Sequence, residues 1–445
     1  MLRRVRVDVA AVAGSVSVVR LWAAVCRCCS RDGYIATVRR ATVVIGGGQA
    51  GLSVSRELLA AGVDHVVLER AAVAQAWRQR WDSFTLVTPN WTLDLPGRPY
   101  VGDDPEGHVG RDDIVAYLEA YAAEHAGEIR EGVRVDALGP TGSGRFRLDT
   151  NDGPIDADVV VVCTGAYQRP HRPPAAAALP AGLLVIDASD YTNPGALPDG
   201  EVLVVGSGQS GVQIAEELHI SGRSVTLACG RAPWSPRRLG ELDIITWLTR
   251  AGFYDQPRSA LASPADRLVA NLQATGANGG HDLHYRVLQT MGVRLAGHLD
   301  GVAGHRAWFA DDLAQSVAFG DARYADIRQF LSDRLRTQPV GVPQMPVPPP
   351  FRCAPVHEVD LRDFGAVILT TGFRPDYRRW IHFPVFDDLG FPIVGDDLTT
   401  AVPGLHFCGV HFLRTRRSSL LFGVGADAAL LARTIVHAQP HAAHG

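Results

Sequence analysis

Ala41-Thr-Val-Val-Ile45 is an apolar run without alternation, the pattern of a strand covered on both faces, and Gly46-Gly-Gly-Gln-Ala-Gly51 follows it as a turn. Leu52 to Ala61 then reads as a helix stopped by Gly62, and Val66-Val-Leu68 reads as a second strand ending at Glu69. The same succession returns further on. Val202–Val205 predicts a strand, Gly206-Ser-Gly-Gln-Ser-Gly211 a turn, Val212 to Leu218 the opening of a helix, and Val225–Ala228 a second strand. Between the two units, Arg111–His125 predicts an amphipathic helix with Ile114, Leu118 and Tyr121 on one face. Val133–Leu138, Arg145–Thr150 and Ile155–Cys163 predict a strand meander with a turn at Asn151-Asp-Gly153. Asp158–Gly165 and Ala366–Gly372 are near duplicates, each a buried strand running into a Gly turn, and both suit crossings between domains. The proline-rich stretch Pro339–Pro350 predicts a stiff linker at which the chain leaves one domain and rejoins the other.

Composition narrows the chemistry. All 43 basic side chains are arginine, so reactions that need a lysine Schiff base, a P-loop lysine or a kinase strand lysine are excluded. Any cation that grips an anion here is an arginine. A net charge of -4 offers no basic field for nucleic acid, and a mean hydropathy of +0.03 gives no reason to expect a membrane span. Seven cysteines, four of them scattered through the body of the chain, fit reduced thiols and a cytoplasmic protein. Cys26, Cys28 and Cys29 fall in residues 1 to 37, expected to be a disordered extension because no small-x-small cleavage site follows its weakly apolar segment; translation starting near Val38 is the alternative. His281/His284 and His406/His411 lack accompanying acid or thiolate spacing, so no metal is expected.

Gly46, Gly48 and Gly51 fit G-x-G-x-x-G between strand and helix, and Glu69 stands where a carboxylate can accept hydrogen bonds from ribose hydroxyls. This is a dinucleotide-binding unit. Gly206, Gly208 and Gly211 repeat the spacing, but the place equivalent to Glu69 is Cys229, and Arg231 follows it with Arg237 and Arg238 beyond. Losing the acid and gaining arginine predicts a 2'-phosphate, hence NADPH rather than NADH. The expected architecture is α/β: two Rossmann-like three-layer dinucleotide-binding domains, the second, for NADPH, inserted into the first. Residues 38–172 and 341–436 are expected to form the first domain, which the resemblance described next makes the FAD domain, and 173–340 the NADPH domain with a helical insertion, leaving 437–445 as a tail.

These residues resemble the two-dinucleotide flavoprotein monooxygenases, from flavin-containing monooxygenases to Baeyer-Villiger enzymes, over roughly residues 41 to 436. The resemblance implies that Gly46, Gly48, Gln49, Ala50 and Gly51, with Glu69 and Arg70, hold FAD, and that Gly206, Gly208, Gln209, Ser210 and Gly211, with Arg231, hold NADPH. Trp77, Arg78, Trp81 and the Thr88-Pro-Asn-Trp91 stretch resemble the segment that wraps the flavin, with Asn90 as the catalytic side chain near the isoalloxazine. Thr164-Gly165 and Thr371-Gly372 resemble the family's two hinges, Pro403 to Gly409 its closing FAD strand, and Ser418 to Ala428 the helix that follows. One fingerprint is missing: the linker Phe-x-Gly-x-x-x-His has no match, and Asp187 is nearest to its histidine position.

The implied reaction passes hydride from NADPH to FAD, activates molecular oxygen at flavin C4a, and oxygenates a small-molecule substrate at nitrogen, sulfur or carbon. Alternatives are an NADPH oxidase or reductase without oxygen insertion, and a nucleotide-binding regulatory flavoprotein. A thiol-disulfide reductase would need a redox cysteine pair beside the flavin, and none is spaced for it within either domain. Trp247, Phe253, Tyr254, His284 and Trp308 are candidates to cap a substrate pocket, and Arg414-Thr-Arg-Arg417 to close over the flavin.

Overall fold

Val38–Ile45 (β1) lies at the middle of a seven-stranded sheet in the computed structural model, which describes residues 37–143 and 145–438; the expectations for the N-terminal extension and for the tail beyond 438 lie outside them. β1 runs parallel to His65–Leu68 (β2) on one side and to Ile155–Val162 (β6) on the other, with Ile45 opposite Leu68 and Val162. Glu128–Arg130 (β3) adds beyond β2, and Val135–Pro140 (β4) and Phe146–Thr150 (β5) form the meander into β6. Val43, Val44 and Ile45 are buried because this strand has neighbours on both edges and cover on both faces.

Gln49–Ala60 (α1) starts three residues before the apolar pattern does, since Gly48 in extended conformation already opens it. It packs against Arg111–His125 (α3) and the C-terminal Val424–Ala438 (α8), with the short Gln75–Arg78 (α2) at the rim.

The second sheet is wholly parallel. Glu201–Val205 (β9) is flanked by Val225–Ala228 (β10) and, on the other edge, by Phe364–Leu369 (β17), with Leu184–Asp187 (β8) beyond β17 and Arg294–Ala296 (β13) beyond β10. Gln209–Ile220 (α4) follows β9, and Tyr285–Met291 (α6) precedes β13. A three-stranded antiparallel sheet, Leu299–Ala303 (β14), Arg306–Phe309 (β15) and Glu358–Asp360 (β16), shares an apolar core with β9, β10 and β17. A helical cap is built on the hairpin Arg238–Leu239 (β11) and Leu242–Asp243 (β12), Ile244–Arg250 (α5) and Leu313–Leu335 (α7).

Strand pairing corrects one boundary. β17 lies after Pro339–Pro350 yet completes the second sheet, so 341–369 belongs with the second unit and the chain returns to the first only past Thr371-Gly372. The return strand Phe373–Arg374 (β18) pairs antiparallel with the outgoing Arg169–Pro170 (β7), so the two crossings run side by side. Leu405–Phe407 (β19) then pairs with the end of β6 and closes the first sheet. A proline run reads as a linker from composition alone; which sheet takes the next strand depends on pairing with β8 and β9, distant in sequence.

Candidate functional site

Each Gly-rich turn sits at the C-terminal edge of its sheet, the place where open α/β sheets bind ligands. In the first, Gly46 has φ +111 and lies against the Cys163 carbonyl, while a Cβ on Gly51 would stand 1.8 Å from the Gly46 oxygen. A Cβ on Gly48 would meet nothing within 4 Å. Gly48 offers α1 no side-chain cap and the first turn holds no acid, so unpaired N–H groups and the positive helix end face that open space. Glu69 is held at the mouth by two backbone donors, Gly47 N to its Oε2 at 2.7 Å and Ala71 N to its Oε1 at 3.0 Å. These residues fit the pyrophosphate and ribose of FAD.

Neighbouring elements close the rim. Trp77 Nε1 donates to Gln49 Oε1 at 3.1 Å, and Gln49 Nε2 donates to the Ser419 carbonyl at 3.2 Å. Gly409, φ +76, sits so close to α1 that a Cβ there would come within 2.3 Å of Ala50 Cβ. Arg70 is exposed beside Glu69.

The other expected contacts have protein partners of their own. Asn90 is buried, its Oδ1 accepting from Val109 N at 2.7 Å and its Nδ2 donating to the Asp104 carbonyl at 2.9 Å, so it braces the 104–109 loop. Thr88 Oγ1 hydrogen-bonds Thr92 Oγ1 within the same turn. Trp81 is a core side chain, edge-on to Phe84 at 5.0 Å. Arg78 turns outward to pair with Glu119 on α3. Thr164 takes a hydrogen bond from Gln168, next to Gly165 at φ +65. Trp247, Phe253 and Tyr254 form the core of the cap with Phe330 and Phe422, and Trp308 lies on the β14–β15 hairpin, so these do not assemble one pocket.

The second turn repeats the first. Gly206 has φ +102 and lies against the Thr370 carbonyl, and a Cβ on Gly211 would stand 2.1 Å from the Gly206 oxygen. Thr370 Oγ1 donates to the Gly206 carbonyl at 2.6 Å, a contact unforeseen in the sequence, where Thr371-Gly372 stands out as the hinge; Thr371 bonds the His171 carbonyl, beside Gly372 at φ +85. The signal was present: Thr370 occupies in the duplicated strand the place that Cys163 occupies in the first. α4 also begins without a side-chain cap or an early acid. Cys229 is fully buried at the strand end, and Arg231 is exposed over the Phe319 ring at 5.8 Å, with no carboxylate in ion-pair reach among the described residues. That guanidinium fits a 2'-phosphate.

Arg237, next in line for the same role, is buried in the seam between the units. It pairs with Asp243 at 2.7 Å, donates to the Val87 carbonyl at 2.6 Å, and approaches His108 Nε2 at 3.0 Å. Burial and the guanidinium hold the His108 imidazole down to about 4, and burial lifts the Asp243 carboxyl to about 6. Arg238 bonds the Glu106 and Glu241 carbonyls. Asp187, at the missing histidine's place, is in a two-pronged pair with Arg172 at 2.8 Å. Arg414 pairs with Asp427, and Arg416 lies between the Phe253 and Phe412 rings.

Cys163 and Cys408 are brought together at the ends of β6 and β19; the contact with Cys163 and burial push the Cys408 thiol well up. Burial raises Cys229 and Cys353 as well, the opposite of what a thiolate nucleophile needs.

Comparison with known proteins agrees with this fold. The family described as pyridine nucleotide-disulphide oxidoreductase matches residues 43–248. A CzcO-like oxidoreductase of Geobacillus kaustophilus is 30% identical over 398 residues, covering 89% of this chain and 98% of that one. An indole-3-pyruvate monooxygenase of Oryza sativa, YUCCA1, is 33% identical over 181 residues, 40% of this chain and 44% of that protein. The solved flavin-containing monooxygenase of Stenotrophomonas maltophilia aligns with a TM-score of 0.63 at 20% identity, covering 90% of this chain and 99% of that one.

Proposed function

The chain belongs to the CzcO-like oxidoreductases within the flavin-containing-monooxygenase-like family, whose cofactors are FAD and NADPH, and from that premise we propose that it is an NADPH-oxidising flavoprotein monooxygenase acting on a small organic substrate. The observation that carries this reading is the asymmetry of two otherwise matching turns: a carboxylate stands at the first strand end, and a buried thiol with an exposed arginine stands at the second. FAD, when bound, supplies acceptance of hydride from NADPH and the activation of oxygen.

The protein's share is position and shelter. Glu69 would accept from ribose hydroxyls at the first site while the uncapped start of α1 faces the phosphates. At the second, α4 faces the pyrophosphate and Arg231 the 2'-phosphate, where a planar fork of charged donors discriminates against NADH. Trp91, Tyr254 and Phe422 pack edge to face and tie the turn after Pro89 to the cap and the C-terminal segment.

Asp187 supports a second reading, an NADPH oxidase that inserts no oxygen. The family's linker histidine is replaced by a carboxylate already committed to Arg172. Anaerobic reduction with NADPH followed by mixing with oxygen separates the two. A transient absorbance distinct from oxidised and reduced flavin, lasting seconds or longer, supports the monooxygenase. Immediate reoxidation with one peroxide released per NADPH supports the oxidase.

A further inference from the structure

The two turns differ in what lies above them. The space over Gly48 is open, whereas a Cβ on Gly208 would meet the Ala270 methyl at 3.5 Å. The second glycine of the fingerprint exists so that a pyrophosphate can come close to the backbone, and at Gly208 residue 270 lies over that approach at van der Waals distance from a Cβ.

The covering segment is fastened on both sides. Gln209 Nε2 donates to the Leu272 carbonyl at 3.1 Å, and Gln273 Nε2 donates to the Ser207 carbonyl at 2.7 Å. Gln273 N also donates to the Pro233 carbonyl at 2.8 Å, in the loop that carries Arg231. Residues 269–275 therefore span from the turn to the arginine loop. Gln273 is 1% exposed, and its Oε1 has no well-formed hydrogen bond among the described residues, with only the Tyr285 side chain beside the buried amide. The downstream end is tied to the seam: a Cβ on Gly276 would stand 2.2 Å from the Leu86 carbonyl, and one on Gly280 would touch His108 and Arg237.

We infer that residues 269–275 are a gate over the second nucleotide site and that Gln273 is the positioning residue that holds it shut. The inference rests on the assignment of the Gly206–Gly211 turn to NADPH. Nucleotide and gate compete for one space, so the apparent affinity for nucleotide is reduced by the fraction of molecules that are closed. Weakening one latch hydrogen bond raises the open fraction, which tightens binding instead of loosening it.

The test uses the full chain loaded with FAD and NADP+ as the probe. Calorimetry on Gln273→Ala should show NADP+ binding about 3- to 10-fold tighter than the wild type, the range a single net hydrogen bond allows. Hydrogen exchange on the wild type should show the 269–275 amides exchanging faster when NADP+ saturates the site. Unchanged or weaker binding by Gln273→Ala, or slower exchange of those amides in the wild type, overturns the gate and makes the segment a wall under which nucleotide binds. If neither protein binds NADP+, the assignment of the turn fails and the gate with it, a result distinct from binding that the variant leaves unimproved.

Discussion

Gly46–Gly51 and Gly206–Gly211 are the same turn built twice. In each, the third glycine folds onto the oxygen of the first, and the residue just after the strand and before a Thr-Gly crossing, Cys163 or Thr370, sets its carbonyl against the first glycine. What differs lies around the turn: Glu69 against Cys229 and Arg231, open space against Ala270, a rim made by Trp77 and Ser419 against one made by an inserted segment. Spacing of glycines thus encodes a backbone shape, while the strand end and the covering residues choose the ligand and its access.

Substituting the third glycine tests whether the two turns are independent sites. A Cβ at Gly51 or Gly211 collides with backbone oxygen, which cannot move aside as a side chain can. Gly51→Ala should cost about 4 kcal/mol of stability and leave a colourless protein. Gly211→Ala should cost a similar amount, yet any folded fraction should still bind flavin while losing NADP+. Loss of flavin from both variants, read from absorbance after purification, would break the comparison.

The seam is the next target. Arg237 reaches from the second unit to Val87 and His108 of the first, and truncating it leaves Asp243 buried without its partner. Arg237→Ala should lower unfolding stability by about 3 kcal/mol, and urea titration should show the flavin and nucleotide units separating into two transitions. A single unshifted transition would show that the seam does not couple them.

Much of this was legible before any coordinates. Unbroken apolar runs, glycine spacing, Glu69, and the replacement of an acid by Cys229 are local features, and local features survive without a fold. Arg237 with His108, Thr370 with Gly206, and Gln273 with Ser207 join residues 129, 164 and 66 apart, so no window of sequence contains them. Residue type also says nothing of direction. Asn90, Arg78 and Trp81 are expected from sequence as cofactor contacts, and their protein partners, the 104–109 loop, Glu119 and Phe84, emerge only in the fold.

Arg231 sharpens the difference between strand ends with little effect on folding, because its guanidinium is exposed. Arg231→Ala should reduce the preference for NADPH over NADH by roughly 30-fold, about 2 kcal/mol for charge-assisted hydrogen bonds, with unchanged flavin content. Steady-state kcat/KM for the two nucleotides gives the ratio. A preference that survives would mean that Arg231 is not the residue that reads the 2'-phosphate.

The smallest effect concerns protons at the seam and beside α6, regions for which the first turn has no counterpart. Burial holds His108 and His284 near about 4, below the ordinary histidine value of about 6.5, so between these values the unfolded chain binds more protons than the folded one. Stability contributed by both is therefore complete above about pH 6.5 and declines as pH falls toward 4. Asp243, raised to about 6, acts in the opposite sense: from about pH 4 to 6 the folded state holds its proton more tightly, so its contribution grows on acidification. It offsets about one histidine, and since it shares Arg237 with His108 the two titrate as a set. For these three groups together the expectation is a loss on the order of 2 kcal/mol between pH 7 and 5, which His411, also held to about 4 by burial, deepens; urea midpoints read it. His284→Leu should partly flatten that dependence, because it removes one of the depressed histidines outside the Arg237 cluster, and a wild-type protein that gained stability on acidification would show that Asp243, not the histidines, dominates.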